Sequence, residues 1–108
     1  MKVSEFALVY ITAANAEEAE RIGAALVEER LVACVNIIPA AQSIYRWEGE
    51  VQRVVEAMII AKTLAAKVHD VNDHVRSLHS YQTPAIMAVP LIHVDAGFAA
   101  WVEGEVAQ

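Results

Sequence analysis

Cysteine occurs once in this chain, at Cys34, so no disulfide can close within it and no C-x-x-C pair opens a zinc or redox motif. Glycine is scarce too, with four in 108 residues, and no glycine-rich loop could cradle a phosphate. No serine sits in a nucleophile elbow or beside an obvious base. Basic residues number 8 against 14 acidic ones, a net charge of −6. Neither half of the chain carries the basic footprint that a phosphate backbone requires, which argues against nucleic acid as a partner. The apolar stretch nearest the N-terminus, Phe6 to Ile11, is too short to span a membrane, follows an acid, and reaches no small-residue cleavage site. These absences lead to the expectation of a cytoplasmic protein with neither a nucleic-acid nor a membrane partner.

Hydrophobic residues, by contrast, make up 56% of the chain and charged residues only 20%, which excludes disorder. A chain of 108 residues can bury a proper core without cross-links, and residues 1–108 read as one domain. Phe6 to Ile11 is dense in strand formers. Asn15 reads as a helix N-cap with Glu18 three residues on, and Ala19, Ile22 and Leu26 form the inner stripe of a helix ending near Arg30. Leu31 to Ile38 and Ser43 to Trp47 are strand-like, Glu48-Gly49-Glu50 is a turn, and Val51 to Thr63 returns as the second arm of a long hairpin. Pro39 and the alanines after it allow a bend or bulge in the first arm.

Leu64, Val68, Val71, Val75 and Leu78 step by four and three, the seam of a second helix. Ser80 to Pro84 breaks it, Ala85 to Ile92 is a strand limited by Pro90, and Asp95 caps a last helix. In that helix Phe98, Trp101 or Val102, and Val106 are expected to face inward. Strand, helix, strand, strand, helix, strand is the split βαβ repeat of the ferredoxin-like α+β sandwich, an antiparallel sheet with helices on one face, here with an extra C-terminal helix. Ala57, Ile59 and Ala61 make one face of the third strand, yet Met58 and Ile60 make the other apolar as well. A bare apolar face of this kind predicts self-association.

Chemistry-bearing residues are few. Asp70 and His74 share a helix face and read as a solvated pair. His79 sits where the second helix ends, either capping carbonyls or serving a site. Cys34 reads as a small core hydrophobe or a soft ligand. Glu56 and Lys62 lie on one face of one strand, as strand-end charges or as functional groups, and Tyr45 and Trp47 near the hairpin tip suit packing against a neighbour.

The segments Leu31 to Pro39, Ser43 to Glu50, Glu56 to Thr63 and Leu78 to Ile86, with Trp101 beyond them, closely resemble the CutA divalent-cation tolerance family, in order and over essentially the whole chain. The resemblance implies a ferredoxin-like protomer in a tight homotrimer similar to that of PII-type signalling proteins. It implies further that copper (Cu2+), another divalent metal ion or a small ligand binds in the clefts between subunits. Carried onto this chain, it makes Cys34 and His79 the metal candidates and Tyr45, Trp47, Glu56, Lys62 and Tyr81 the cleft residues. A thiolate and an imidazole suit copper better than magnesium or calcium. The sequence departs from the family at Ser80, where proline is usual, at Leu78, where some members carry a second histidine, and in a first strand without cysteine. The rival readings are an enzyme using Lys62, Glu56, His79 and Tyr81 as an acid–base set, and a purely structural trimer module.

Overall fold

Local signals set each change of direction along the chain. The computed structural model describes residues 5–107, so the first four residues, expected to carry no leader, lie outside it, as does Gln108. Strand β1 (Phe6–Ala13) gives way to helix α1 (Ala16–Glu28), where Asn15 Oδ1 accepts from the Glu18 N–H at 2.8 Å. Glu18 reaches back to the Ala14 N–H at 2.9 Å, one residue beyond the usual capping box, so one first-turn donor and the N–H just before the cap are satisfied. Beyond α1, Arg30 takes a left-handed conformation, φ 59°, which costs about 1–2 kcal/mol for a side chain with a Cβ. Three hydrogen bonds offset that cost. The Arg30 carbonyl accepts from Ala107, and its guanidinium donates to the carbonyls of Gly104 and Glu105 at the far end of the chain.

Strands β2 (Cys34–Trp47) and β3 (Glu50–Leu64) form the hairpin, and a 3-10 turn (Ala65–Lys67) leads into α2 (Val68–Leu78). Strand β4 (Ile86–Pro90) and helix α3 (Ala96–Glu105) complete the order. The four strands make one sheet in the order β2-β3-β1-β4, each antiparallel to its neighbour. This is the ferredoxin-like α+β arrangement. Val9, Ile11, Ala57, Ile59 and Ala61 of the sheet meet Ala19, Ile22 and Leu26 of α1 and Val71 and Val75 of α2, all at most 1% exposed. Gly23 permits the close approach, since a Cβ there would lie 3.0 Å from Val35 Cγ2.

Helix α3 packs elsewhere. Ala99, Val102 and Val106 bury against Phe6 and Ala33 in a second cluster. Phe6 pairs with Leu64, and by alternation both project from the sheet face opposite α1 and α2, so α3 covers one end of that face. Of the residues expected to face inward, Val102 (rather than Trp101) and Val106 are buried, and the inward placement of Phe98 is corrected. Asp95 caps the Phe98 N–H, which sets a register in which Val102 turns inward, while Trp101 stays 44% exposed and stacks on Phe98 at 5.6 Å. The rest of the second sheet face remains open, with Ile38, Met87 and Val89 exposed in the single chain.

Strand β1 pairs with β3 only as far as Ala57, so the hairpin beyond that point overhangs the sheet. Its tip is a two-residue turn in which Glu48 (φ 50°) and Gly49 (φ 84°) are both left-handed, as a tight twisted hairpin demands.

Candidate functional site

The overhang becomes a wall of a groove because of a bulge in β2. Ile38 stands opposite Met58 but Ala41 stands opposite Glu56, so three residue steps on β2 match two on β3. Before the bulge, Cys34, Asn36 and Ile38 share the open face with Lys62, Ile60 and Met58. After it, Ser43, Tyr45 and Trp47 stand opposite Val54, Gln52 and Glu50, on the side to which Glu56 belongs. One extra residue thus turns Tyr45 and Trp47 onto the open face.

The opposite wall is the segment after α2, pinned by buried polar groups. The His79 side chain is fully buried. Its Nδ1 accepts from the Tyr81 N–H at 3.0 Å and its Nε2 lies 2.6 Å from the Thr12 carbonyl. With Nδ1 accepting, these bonds assign the proton to Nε2, and both ring nitrogens are committed. Glu18 completes the pin. Its Oε2 accepts from the Ser80 N–H at 2.8 Å, and its Oε1 lies 3.9 Å from His79 Nδ1. Burial pushes the Glu18 pKa up, but hydrogen bonds from Ala14 and Ser80 outweigh it, and the net displacement is downward.

A lowered acid pKa gives stability that is present above the unfolded value, about 4.3, and is lost as pH falls through the folded value. Glu18→Gln is therefore expected to cost about 1–3 kcal/mol at pH 7, because an amide can accept from only one side. It should also flatten the loss of stability below about pH 4.5. Urea melts of parent and variant between pH 3 and 7 measure both effects; parallel curves across that range would deny Glu18 this role.

Between the walls lies a groove of about 800 Å³. All three tyrosines of the chain, Tyr10, Tyr45 and Tyr81, and one of its two tryptophans, Trp47, line it. On its floor the Tyr81 hydroxyl donates to Glu56 Oε2 at 2.6 Å. Burial first, and then the Glu56 carboxylate, push the Tyr81 pKa upward, so the phenol stays a donor. Glu56 is 7% exposed and, among the described residues, is the only charged side chain in the lining.

Four of the five expected cleft residues therefore meet here: Tyr45, Trp47, Glu56 and Tyr81. Lys62 does not. It shares a strand face with Glu56, but six residues of β3 separate them by about 20 Å, and its ammonium bonds Asn36 instead. Cys34 stands opposite Lys62, whereas His79 is fixed to Thr12, whose partner is Met58. Four residues, about 13 Å of strand, thus part Cys34 from His79. Within one chain, therefore, Cys34 and His79 do not come together, and both His79 ring nitrogens are engaged by the backbone. Among the described residues no three His, Cys, Asp or Glu side chains gather so as to hold a metal ion. The acid–base quartet is not assembled within one chain either, with Lys62 remote and His79 buried.

Tyr10, Gln82, Thr83 and Met87 also line the groove, and the motifs of the sequence do not point to them. Tyr10 carries a usable signal, since alternation along β1 sets it on the face opposite Val9 and Ile11. Asp70 and His74 lie four residues apart on α2, as expected, and the Asp70 carboxylate also faces Lys67 at 4.0 Å.

Fold and groove together define a ferredoxin-like α+β protein with an aromatic, acid-floored cleft at the edge of its open sheet face. Residues 7–105 match the family described as CutA1 divalent ion tolerance protein. A divalent-cation tolerance protein CutA from Archaeoglobus fulgidus is 43% identical over 88% of this chain and 92% of its own length. One from Thermus thermophilus is 41% identical over 88% and 92%. A solved CutA structure from Archaeoglobus fulgidus superposes with a TM-score of 0.92 at 40% identity, covering 94% of this chain and 99% of that one. CutA1 from Oryza sativa gives 0.94 at 32% identity, over 96% and 95%. The chain belongs to the CutA1 divalent ion tolerance family.

One expectation is overturned at this point. The solved Archaeoglobus protein is named a periplasmic divalent cation tolerance protein, which does not match the cytoplasmic location expected above. The physical reason is plain: a lone thiol forms no intrachain disulfide in any compartment, so Cys34 carries no information about location. No helix among the described residues is long and apolar enough to cross a membrane.

Proposed function

We propose that this chain serves divalent-cation tolerance as a homotrimer, and that its aromatic groove takes a small ligand where subunits meet. The observation that carries this reading is the position of the groove. It opens along the bare sheet face, with Tyr45 42% and Trp47 52% exposed in the single chain, so a second copy laid on that face would wall the groove in. Exposed aromatics next to an open apolar face are what an assembly interface buries. The family's association with divalent cations supports a role in metal response, but copper ligation through Cys34 and His79 has no support in the geometry and is not part of this proposal.

Sedimentation equilibrium at micromolar concentration is the direct test. The expected mass is three times the 11.8 kDa of one chain, with no dissociation before unfolding. A folded monomer at that concentration would overturn the proposal.

A further inference from the structure

The composition of the groove says what kind of small ligand it fits. The walls that one chain supplies are largely aromatic, and among the described residues the single charge in the lining is the Glu56 carboxylate. Tyr81 satisfies only one oxygen of that carboxylate, Oε2. Oε1 accepts no hydrogen bond from the described residues, and it is not sealed from solvent. Among the described residues no lysine or arginine lines the groove to neutralise it. The nearest candidates along the hairpin are diverted: Arg46 and Arg53 stand on the opposite face by register, and the Arg46 guanidinium bonds the Gly49 carbonyl at the tip.

Three ligand chemistries can be weighed against that inventory. An anion such as a phosphate would meet, from the described residues of this chain, a carboxylate and no cation, which is repulsive in a partly desolvated cleft. A hard dication needs six or more oxygen ligands or retained waters, and one carboxylate among ring faces supplies too few. A weakly hydrated organic cation meets both features at once, since ring faces attract it through their quadrupoles and the carboxylate supplies the opposite charge. A volume of about 800 Å³ leaves room for apolar substituents around such a centre.

We propose that the groove binds a small organic cation, an ammonium or guanidinium bearing apolar substituents, with Glu56 Oε1 as its counter-charge and the Tyr and Trp47 rings as its walls. This deepens the ligand reading given above and rests on it. Tyr81 is a positioning residue here, holding Glu56 by Oε2 so that Oε1 faces the cleft.

The test follows Trp47 emission in a Trp101→Phe background, with calorimetry on the parent as a second measurement that needs no substitution. Three probes of similar size are titrated: benzyltrimethylammonium, benzyl alcohol and benzenesulfonate. The cation is expected to bind saturably and at least about tenfold more tightly than the alcohol, and the sulfonate not to bind. Glu56→Gln keeps an acceptor for the Tyr81 hydroxyl. It should remove that tenfold preference and leave alcohol affinity within about twofold. If alcohol or sulfonate binds as tightly as the cation, or if Glu56→Gln leaves cation affinity unchanged, the cation assignment is overturned while the ligand groove stands. If none of the three changes Trp47 emission or releases heat up to about 50 mM, a range that covers even millimolar affinity, the ligand groove itself is overturned.

Discussion

Replacing His79 with alanine is expected to cost about 3 kcal/mol and to leave copper affinity, whatever its magnitude in the parent, unchanged. The two halves of that expectation share one cause. The ring is wholly buried, donates from Nε2 to the Thr12 carbonyl and accepts at Nδ1 from Tyr81. Truncation leaves two backbone groups unpaired, each costing about 1–3 kcal/mol, and a ring-sized void that neighbours only partly fill. Neither nitrogen is available to a metal, so none is lost when the ring goes. Chemical denaturation and copper titration of the same variant separate the outcomes. A folded His79→Ala protein with parent stability but no copper affinity would make the ring a ligand after all, and would refute the tautomer assigned by its hydrogen bonds.

Val71→Asp should be more damaging still, at about 4 kcal/mol or more, enough to abolish folding in a domain whose total stability is typically about 5–15 kcal/mol. Val71 has no exposed surface and lies in the cluster formed by α1, α2 and the sheet. An aspartate there must either bury an unpaired charge or take up a proton, and nothing in the cluster can donate to it. Asp73→Ala, two residues along the same helix and exposed, is the matched control and should move stability by less than about 0.5 kcal/mol. Circular dichroism melts of the two variants suffice. Equal melting of Val71→Asp and parent would mean that α2 turns a different face to the sheet.

Periodicity alone makes the inner faces of this fold legible in the sequence. Val71 and Val75, Ile22 and Leu26, Ile59 and Ala61 are all where three-four and alternating steps put them, because those steps are the geometry of helix and strand. The same rule places Glu56 and Lys62 together and is right about the face, but a parity argument carries no distance along the strand. Trp101 shows a different limit. Trp101 and Val102 are adjacent on α3, so only the cap at Asp95 settles which one is inside. His79 shows a third. A residue type advertises what it can ligate, whereas the two bonds that use up its ring come from Thr12, far away in sequence, and from a backbone N–H.

The bulge at Pro39 and Ala40 makes strand register, rather than residue identity, the quantity that assigns the outer hairpin. Deleting either residue would only remove the bulge: alternation would then run unbroken from Cys34 to Trp47, and Ala41 to Trp47 would keep their partners and their face. If instead the register of Cys34 to Ile38 ran on past the extra residue, Tyr45 would stand opposite Val51 and leave the groove, and Arg46 would enter it, delivering a cation to the face of Glu56. A residue added at the Glu48–Gly49 tip would lengthen the loop and leave both arms as they are. Which side chains the groove receives is thus set by the register step at the bulge, and not by the length of the tip.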